Sequence, residues 1–122
     1  MNTDAPSHEP FDGKAYVRDL TTAPGVYRMY ASDNSVLYVG KALSLKKRVA
    51  SYFLSTVSST RIALMIRQIA RMEITVTRTE SEALILENQL IKSLRPRYNV
   101  LLRDDKSYPY IFVSDKQPFP RI

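Results

Sequence analysis

The sequence predicts a small α+β domain with a small, mainly antiparallel sheet flanked by helices. Three observations support this fold class. Two β-branched and aromatic segments surround a turn near residues 31–35, which is typical of a hairpin. Helical and extended patterns then follow in the order ββααβα(β). The length of 122 residues suffices for one domain with a real core and excludes two full domains.

The first half of the chain is predicted to contain a helix, the hairpin and a second helix. Ala23-Pro24-Gly25 breaks the first helix, Gly40 closes the hairpin, and Ser44 is a plausible N-cap for the second helix. The expected elements are a loose polar tail over 1–13, a helix over 14–22, strands over 25–30 and 36–39, and a helix over about 45–53.

The second half is predicted to contain two helices around a third strand. Pro96 ends the last helix, and Pro109 makes the final segment an edge strand or an irregular one. The expected elements are a helix over 60–71, a strand over 73–77, a helix from Thr79 or Ser81 to about Leu94, an extended loop over 98–103 and a strand over 108–113. The ending Gln117–Ile122 has no natural stop, so the folded domain is expected over 14–122 of a longer protein.

Composition excludes several kinds of site. Cysteine is absent and His8 is the only histidine, so disulfides, thiolate metal sites and histidine triads are excluded. The net charge of +6 predicts a polyanionic partner. No secretory signal and no apolar run of membrane-spanning length occurs, so a cytoplasmic protein without membrane contact is expected.

Glu87 is the most informative single residue. On a helical wheel it falls inside the apolar stripe formed by Ala83, Leu90, Ile91 and Leu94. A carboxylate there is costly unless it is paired, protonated or bound to a metal. The sequence leaves three interpretations open: a structural ion pair, a glutamate at the edge of the sheet that reaches solvent, and a functional site.

Two further groups combine tyrosine with a cation. Arg48 and Tyr52 are four residues apart on one helix and share a face; the alternative is a surface cation–π pair. Tyr27 and Tyr38 lie on the two hairpin strands, where a favourable register puts them on one face. Lys41 follows Tyr38 by three residues, which predicts a lowered pKa for that tyrosine. Core packing is the alternative for both tyrosines.

Basic residues are concentrated between residues 41 and 78, where Glu73 is the only acid. Binding of a phosphate backbone is the simplest use of this charge, and a solvated basic face is the alternative. Arg95 and Arg97 add further donors beyond the helix that carries Glu87. The DNA-binding candidates are Lys46, Lys47, Arg61, Arg67, Arg95 and Arg97.

In their order along the chain, these residues resemble the GIY-YIG nuclease family. Gly25-Val26-Tyr27 and Tyr38-Val39-Gly40 match the paired motif, with valine replacing isoleucine in both. Lys41, Arg48, Tyr52, Glu87 and Asn99 follow in the family order. The segments 94–100 and 104–110 are similar to one branch, the N-terminal domain of the UvrC component of the bacterial UvrABC excinuclease. The resemblance covers about residues 14–122.

The resemblance implies a nuclease domain of nucleotide excision repair that cuts damaged double-stranded DNA 3′ to the lesion. It implies one Mg²⁺ or Mn²⁺ ion on Glu87, and catalytic positions at Tyr27, Tyr38, Lys41, Arg48, Tyr52 and Asn99. Tyr38 is preferred as general base, with Tyr27 not excluded. The implied partners are the UvrB–DNA complex and the remainder of the UvrC chain, and the isolated domain is expected to be a monomer.

Two other functions stay open at this point. A non-catalytic DNA-binding module would explain the basic helices and would leave Glu87 unexplained. A structure-selective nuclease of branched DNA, or a homing endonuclease, would keep the fold and change the substrate. The amino-acid sequences of segments 94–100 and 104–110 argue against a branched-DNA nuclease or a homing endonuclease.

Overall fold

A three-stranded antiparallel sheet is the centre of the computed structural model, which describes residues 11–54 and 60–103. The strand order is β2-β1-β3, so β1 is central and the other two strands form the edges. This confirms the α+β fold. In chain order the elements are α1 (Gly13–Arg18), β1 (Gly25–Tyr30), β2 (Val36–Ala42), α2 (Leu45–Ser51), α3 (Thr60–Gln68), β3 (Arg71–Val76), α4 (Glu80–Leu94) and α5 (Arg97–Arg103).

The strand register divides the sheet into two chemically different faces. Tyr27 pairs with Gly40, and Met29 pairs with Tyr38. Since side chains alternate along a strand, Tyr27 and Tyr38 lie on the same face, which we call the tyrosine face. Their neighbours Val26 and Val39 lie on the opposite face, which we call the α4 face.

Apolar packing on the two faces is unequal. The larger core cluster lies on the tyrosine face, where residues from α2, α3 and α5 join the strands. On the α4 face a smaller cluster centres on Val26, Val39 and Ala83, with Leu86 and Leu90 of α4 packed against it. Because α4 contacts mainly β2, this helix lies over one edge of the sheet and leaves the β3 side of that face to polar residues.

The helix caps agree with the sequence signals. The Ser44 side chain accepts a hydrogen bond from the Lys47 backbone N–H at the start of α2. Thr79 caps α4 by accepting from the Glu82 backbone N–H, which decides between the two candidate N-caps. At its other end α4 stops at Arg95, whose left-handed conformation (φ 48°) turns the chain into Pro96.

Several predicted boundaries are displaced by a few residues. The folded region begins before residue 14, since α1 starts at Gly13 and Phe11 packs on the Tyr16 ring. Strand β2 passes through Gly40 to Ala42 because it stays paired with β1 to that point. Conversely, α1, α2 and α3 end earlier than predicted, and β3 starts at Arg71, where α3 was expected to end.

The extended loop expected over 98–103 is wrong, because this segment forms α5. Pro96 precedes the first helical residue, a place where its missing N–H is harmless. Tyr98 and Leu102, four residues apart, are both buried in the larger core, and Leu101 packs beside them. This helical spacing was present in the sequence. The strand predicted over 108–113, the terminal segment Gln117–Ile122 and His8 lie outside the described residues.

Within the part of the chain that the structure describes, no helix has the length and apolar character needed to cross a lipid bilayer.

Candidate active site

Three tyrosines from three elements meet in the core on the tyrosine face. Tyr27 and Tyr52 are fully buried, and Tyr38 is 4% exposed. The hydroxyl oxygens of Tyr27 and Tyr52 are 2.7 Å apart, a short hydrogen bond. The ring centroids of Tyr38 lie 6.2 Å from Tyr27 and 6.4 Å from Tyr52. The predicted common face of Tyr27 and Tyr38 is therefore confirmed, and α2 adds the third ring.

The environment of Tyr52 favours its protonated form. Burial raises the pKa of Tyr52 well above its ordinary value, and the neighbouring Tyr27 and Tyr38 act in the same direction. The guanidinium of Arg48 opposes this shift and does not outweigh it. Arg48 is itself buried, with 7% exposure, one turn before Tyr52 on α2. The predicted shared face of this pair thus lies against the core and not in solvent.

The glycines of the paired motif are explained by close approach. A Cβ at Gly40 would overlap the phenol group of Tyr27, which crosses the backbone of β2 at that point. At Gly25 a Cβ would overlap the backbone carbonyl oxygen of Thr75 on β3. Any larger residue would displace the tyrosine or the strand. Gly40 therefore makes room for Tyr27 in the cluster, and Gly25 allows β1 to approach β3 closely.

Lys41 does not lie beside the ring of Tyr38. The two residues are three apart on a regular strand, so Lys41 lies on the α4 face, opposite the tyrosine ring. Its ammonium group donates to a carboxylate oxygen of Glu80, the first residue of α4, at 3.0 Å. The proximity of Lys41 to Tyr38 that the spacing suggested is therefore wrong, since the strand period of two places the cation on the other face.

Glu87 lies along the same side of α4 as Glu80. Seven residues separate them, about two helical turns and about 10 Å. Lys41 binds Glu80 near one end of β2, and α4 also packs on Val36 at the other end of that strand, so Glu87 belongs to a helix that runs along β2. It is half-buried beside Leu86 and Leu90. The helix that carries this carboxylate packs mainly on the edge strand β2.

Asn99 closes the same edge of the sheet. Its side-chain oxygen accepts from the backbone N–H of Val39, and its side-chain nitrogen donates to the Val39 carbonyl oxygen, both at 2.9 Å. This amide imitates a neighbouring strand and satisfies backbone groups that an edge would leave to water. Asn99 therefore fixes the centre of the Tyr38-Val39-Gly40 motif, a role that sequence reasoning did not assign to it.

The donor set near Glu87 suits a hard cation that keeps its water. No three Asp, Glu, His or Cys side chains come together among residues 11–54 and 60–103, so this region supplies no all-protein cage. Mg²⁺ usually retains several waters and is often held by only one or two carboxylates. The half-buried Glu87 carboxylate fits that kind of ligand.

The basic candidates are spread over three parts of the surface. Lys46 and Lys47 are on α2, where the Lys46 ammonium donates to the Arg18 carbonyl oxygen at 3.1 Å. Arg61 and Arg67 are exposed on α3. Arg95 and Arg97 flank Pro96 and are exposed as well. The four arginines and Lys47 are exposed, whereas Lys46 is partly buried.

Strands β1 and β3 carry a second polar cluster, which the sequence did not predict. We call it the β3 cluster: Arg28, Tyr30, Arg71 and Glu73, from β1 and β3. Glu73 is bound by Arg71, accepts from the Tyr30 hydroxyl at 3.2 Å and lies 3.6 Å from the Arg28 guanidinium. Arg71 also stacks over the Tyr30 ring, 4.0 Å from its centroid. A sequence pattern could have revealed this cluster. Arg28 and Tyr30 are two residues apart on β1, and Arg71 and Glu73 are two residues apart on β3, so each pair lies on one face of its strand.

Comparison with known proteins decides the family. Residues 23–100, which include every predicted catalytic position, match the model of the UvrC-like GIY-YIG domain. The chain belongs to this family. The UvrABC system protein C of Xanthomonas euvesicatoria is 64% identical and covers 94% of the chain, and that of Alkalilimnicola ehrlichii is 65% identical and covers 98%. The chain spans only 18% and 19% of these two relatives.

Solved structures of the UvrC-like GIY-YIG family agree in fold. The N-terminal endonuclease domain of UvrC from Thermotoga maritima, bound to magnesium as its catalytic divalent cation, has a TM-score of 0.65 and 30% identity. The match covers 70% of this chain and 93% of that domain. Variants of the same domain with an asparagine or a tyrosine substituted are also similar to this chain. The family resemblance seen in the sequence is confirmed.

Proposed function

We propose that this chain is a metal-dependent DNA endonuclease domain that makes the 3′ incision in bacterial nucleotide excision repair. The observation that carries the proposal is the convergence on edge strand β2. Glu87 belongs to α4, the helix that packs on this strand, Asn99 binds its centre, and Tyr38 is part of it. Membership in the UvrC-like GIY-YIG family supports the same chemistry.

Glu87 is the proposed ligand of a single divalent cation. When bound, a Mg²⁺ or Mn²⁺ ion would polarise the phosphodiester and stabilise negative charge on the leaving oxygen. The Glu87 side chain is half-buried, and Leu86 and Leu90 of the same helix pack on the apolar cluster of the α4 face. Asn99 acts indirectly, by fixing the backbone of β2 opposite that carboxylate.

The tyrosine cluster is the proposed proton acceptor. Tyr52 keeps its proton, because its pKa is raised, and can donate a hydrogen bond to the Tyr27 oxygen 2.7 Å away. A donor at that position stabilises negative charge on Tyr27. We assign proton transfer from the attacking water to Tyr27 or Tyr38, with Tyr52 as a positioning residue. Arg48 is the cation nearest to this cluster along α2 and would stabilise charge on the transferring phosphoryl group.

The remaining parts of the proposal concern substrate and partners. Damaged double-stranded DNA would contact the surface cations Lys46, Lys47, Arg61, Arg67, Arg95 and Arg97, and Lys41 would meet a phosphate near the site. Since the chain spans about a fifth of its relatives' length, recognition of a UvrB–DNA complex and assembly with the remainder of a UvrC chain belong to the proposal.

Metal binding offers the sharpest test of the site. We would record Mn²⁺-induced NMR line broadening on wild type, Glu87→Gln and the control Glu73→Gln, after confirming that all three fold. Glu73 is an exposed glutamate paired with arginines on the other edge of the sheet, so its loss removes the same charge at a distant point. We expect broadening around Glu87 and Tyr38 in wild type and control, and its loss in Glu87→Gln.

Two results would contradict the assignment. Equal broadening in all three proteins would show that Glu87 holds no cation. Broadening spread over exposed carboxylates would make Glu87 a structural residue and favour a DNA-binding module without catalysis.

A further inference from the structure

The Lys41–Glu80 pair places an anion where the proposed function needs a substrate phosphate. The ammonium nitrogen of Lys41 lies 3.0 Å from a Glu80 carboxylate oxygen, which is both a hydrogen bond and an ion pair. The Lys41 side chain is 17% exposed, whereas that of Glu80 is 46% exposed. The cation is thus held inside the rim of the site, and the carboxylate covers it from the solvent side.

The carboxylate is held in place by its position in the helix. Glu80 is the first residue of α4 after the N-cap Thr79, where the helix dipole and free backbone N–H groups favour negative charge. Glu87 follows two turns later on the same side of α4. Glu80 and Glu87 are therefore about 10 Å apart along the helix. Glu80 binds the ammonium group of Lys41, and Glu87 is the proposed ligand of the metal ion.

We propose that Glu80 is an internal substitute for a DNA phosphate: it occupies Lys41 in the free protein, and a backbone phosphate displaces it when DNA binds. This inference rests on the proposed function, because it assumes a DNA substrate. In this proposal Glu80 competes with DNA for Lys41 and so lowers the affinity for DNA in general. Lys41 then binds DNA only when a phosphate lies correctly beside the site.

The exchange is physically reasonable for this geometry. Glu80 is half-exposed, so water reaches the ion pair from that side, and the pair contributes little to stability because it is screened and both side chains lose freedom. A phosphodiester carries the same single negative charge as the carboxylate, so it can replace Glu80 with no change in the charge balance around Lys41. After displacement, the exposed Glu80 carboxylate can turn into solvent and remain near the helix N-terminus.

Glu82 provides a matched control. It lies two residues further along the first turn of α4, is exposed to a similar degree (42%) and pairs with the highly exposed Arg78 instead of Lys41. Replacing either glutamate by glutamine raises the net charge by one and perturbs the same helix start. Only Glu80→Gln releases a cation that lies beside β2.

The test is the affinity of the 122-residue chain for a fluorescent DNA duplex, measured by anisotropy in metal-free buffer so that no cleavage occurs. We expect Glu80→Gln to tighten the dissociation constant by about fivefold. Glu82→Gln is expected to change it by less than about twofold, because the cation that it releases, Arg78, is already 89% exposed and is screened by solvent. In a Lys41→Met background the effect of Glu80→Gln should fall to that of the control. Thermal melts establish that each variant folds.

The outcomes separate this inference from the proposed function. Equal gains for Glu80→Gln and Glu82→Gln, or a gain that persists in Lys41→Met, would overturn the role of Glu80 and leave the DNA endonuclease intact. Failure of wild type and every variant to bind DNA at low salt would overturn the role of Glu80, whereas the proposed function is overturned separately, by undiminished 3′ incision in Glu87→Gln.

Discussion

The protein contains two clusters built from tyrosine, arginine or glutamate, and they differ mainly in burial. Tyr27, Tyr38 and Tyr52 are enclosed by the core, with Arg48 beside them. The β3 cluster uses the same residue types on the other face of the sheet, where Arg71 and Glu73 keep about half of their exposure. Residue type alone therefore does not distinguish a candidate site from a solvated surface.

Exposure changes what each cluster can do. In the β3 cluster two guanidinium groups and a phenol surround one carboxylate, and they lower the pKa of Glu73 in the manner of an ordinary surface ion pair. Among the three tyrosines, burial raises the pKa of Tyr52 and a hydroxyl–hydroxyl bond fixes two rings. Polar groups held without water respond strongly to small changes in charge, which is the condition that proton transfer requires.

The largest expected difference between the two regions is in catalysis. Glu87→Gln should lower 3′ incision of a lesion-containing duplex by about 10²-fold or more, because the proposed metal ligand is lost. Glu73→Gln, the corresponding change in the β3 cluster, should leave incision within about twofold. The measurement is incision by the full-length protein carrying each substitution, together with its repair partners. Undiminished incision by Glu87→Gln would refute the mechanism.

The next effect concerns the stability of the edge strand beside the site. Asn99→Ala removes both hydrogen bonds to Val39 and leaves two backbone groups at the edge of β2 without that partner. We expect a loss of about 2–3 kcal/mol in the free energy of unfolding, measured by urea denaturation. Asn88→Ala is the control, because Asn88 is exposed on α4 and alanine favours a helix. Equal losses in both variants would show that the Asn99 clamp contributes nothing.

The sequence predicted local features better than spatial relations. The hairpin, the N-cap Ser44 and the placement of Glu87 in an apolar stripe depend on neighbouring residues, and the structure agrees with them. The pairing of Lys41 with Glu80 joins residues 39 positions apart, so no local pattern reveals it. Counting three residues from Tyr38 to Lys41 suggested proximity, whereas the strand period of two separates them.

The site was predicted as a set of residues without its arrangement. Asn99 was expected among the catalytic groups, yet its visible contacts are to the backbone of Val39. That role depends on α5, which the sequence analysis interpreted as an extended loop. The buried pair Tyr98 and Leu102 carried the helical signal, but Pro96 directly before it favoured a break. Tertiary packing of those two side chains decided the outcome.

A smaller effect tests the burial difference directly. Tyr52→Phe removes a buried partner of the Tyr27 hydroxyl and should cost about 1–2 kcal/mol of unfolding free energy. Tyr30→Phe removes the bond to the exposed Glu73 and should cost less than about 0.5 kcal/mol. Urea denaturation at neutral pH measures both. Equal costs would mean that burial does not strengthen the tyrosine cluster.

Tyr52 also predicts a pH dependence with a definite sign. Its raised pKa means that the folded state keeps a proton that the unfolded chain releases above about pH 10. Its contribution to stability is therefore complete below that pH and declines as pH rises towards the folded pKa. Between pH 9 and about 11, the free energy of unfolding of Tyr52→Phe should fall less steeply than that of wild type. Parallel profiles would show that Tyr52 titrates normally.

The smallest expected effect is the acid counterpart in the β3 cluster. The Arg71 hydrogen bond, with smaller help from Tyr30 and Arg28, lowers the pKa of Glu73. The folded state therefore holds this carboxylate ionised to a lower pH than the unfolded chain does, so its contribution is present above about pH 4.3 and is lost as pH falls. Because Glu73 is exposed, we expect only a slightly smaller drop in melting temperature between pH 7 and about pH 3 for Glu73→Gln than for wild type. A change as large as that of Tyr52→Phe at alkaline pH would show that exposed pairing matters as much as burial, and would remove the distinction on which the choice between the two clusters rests.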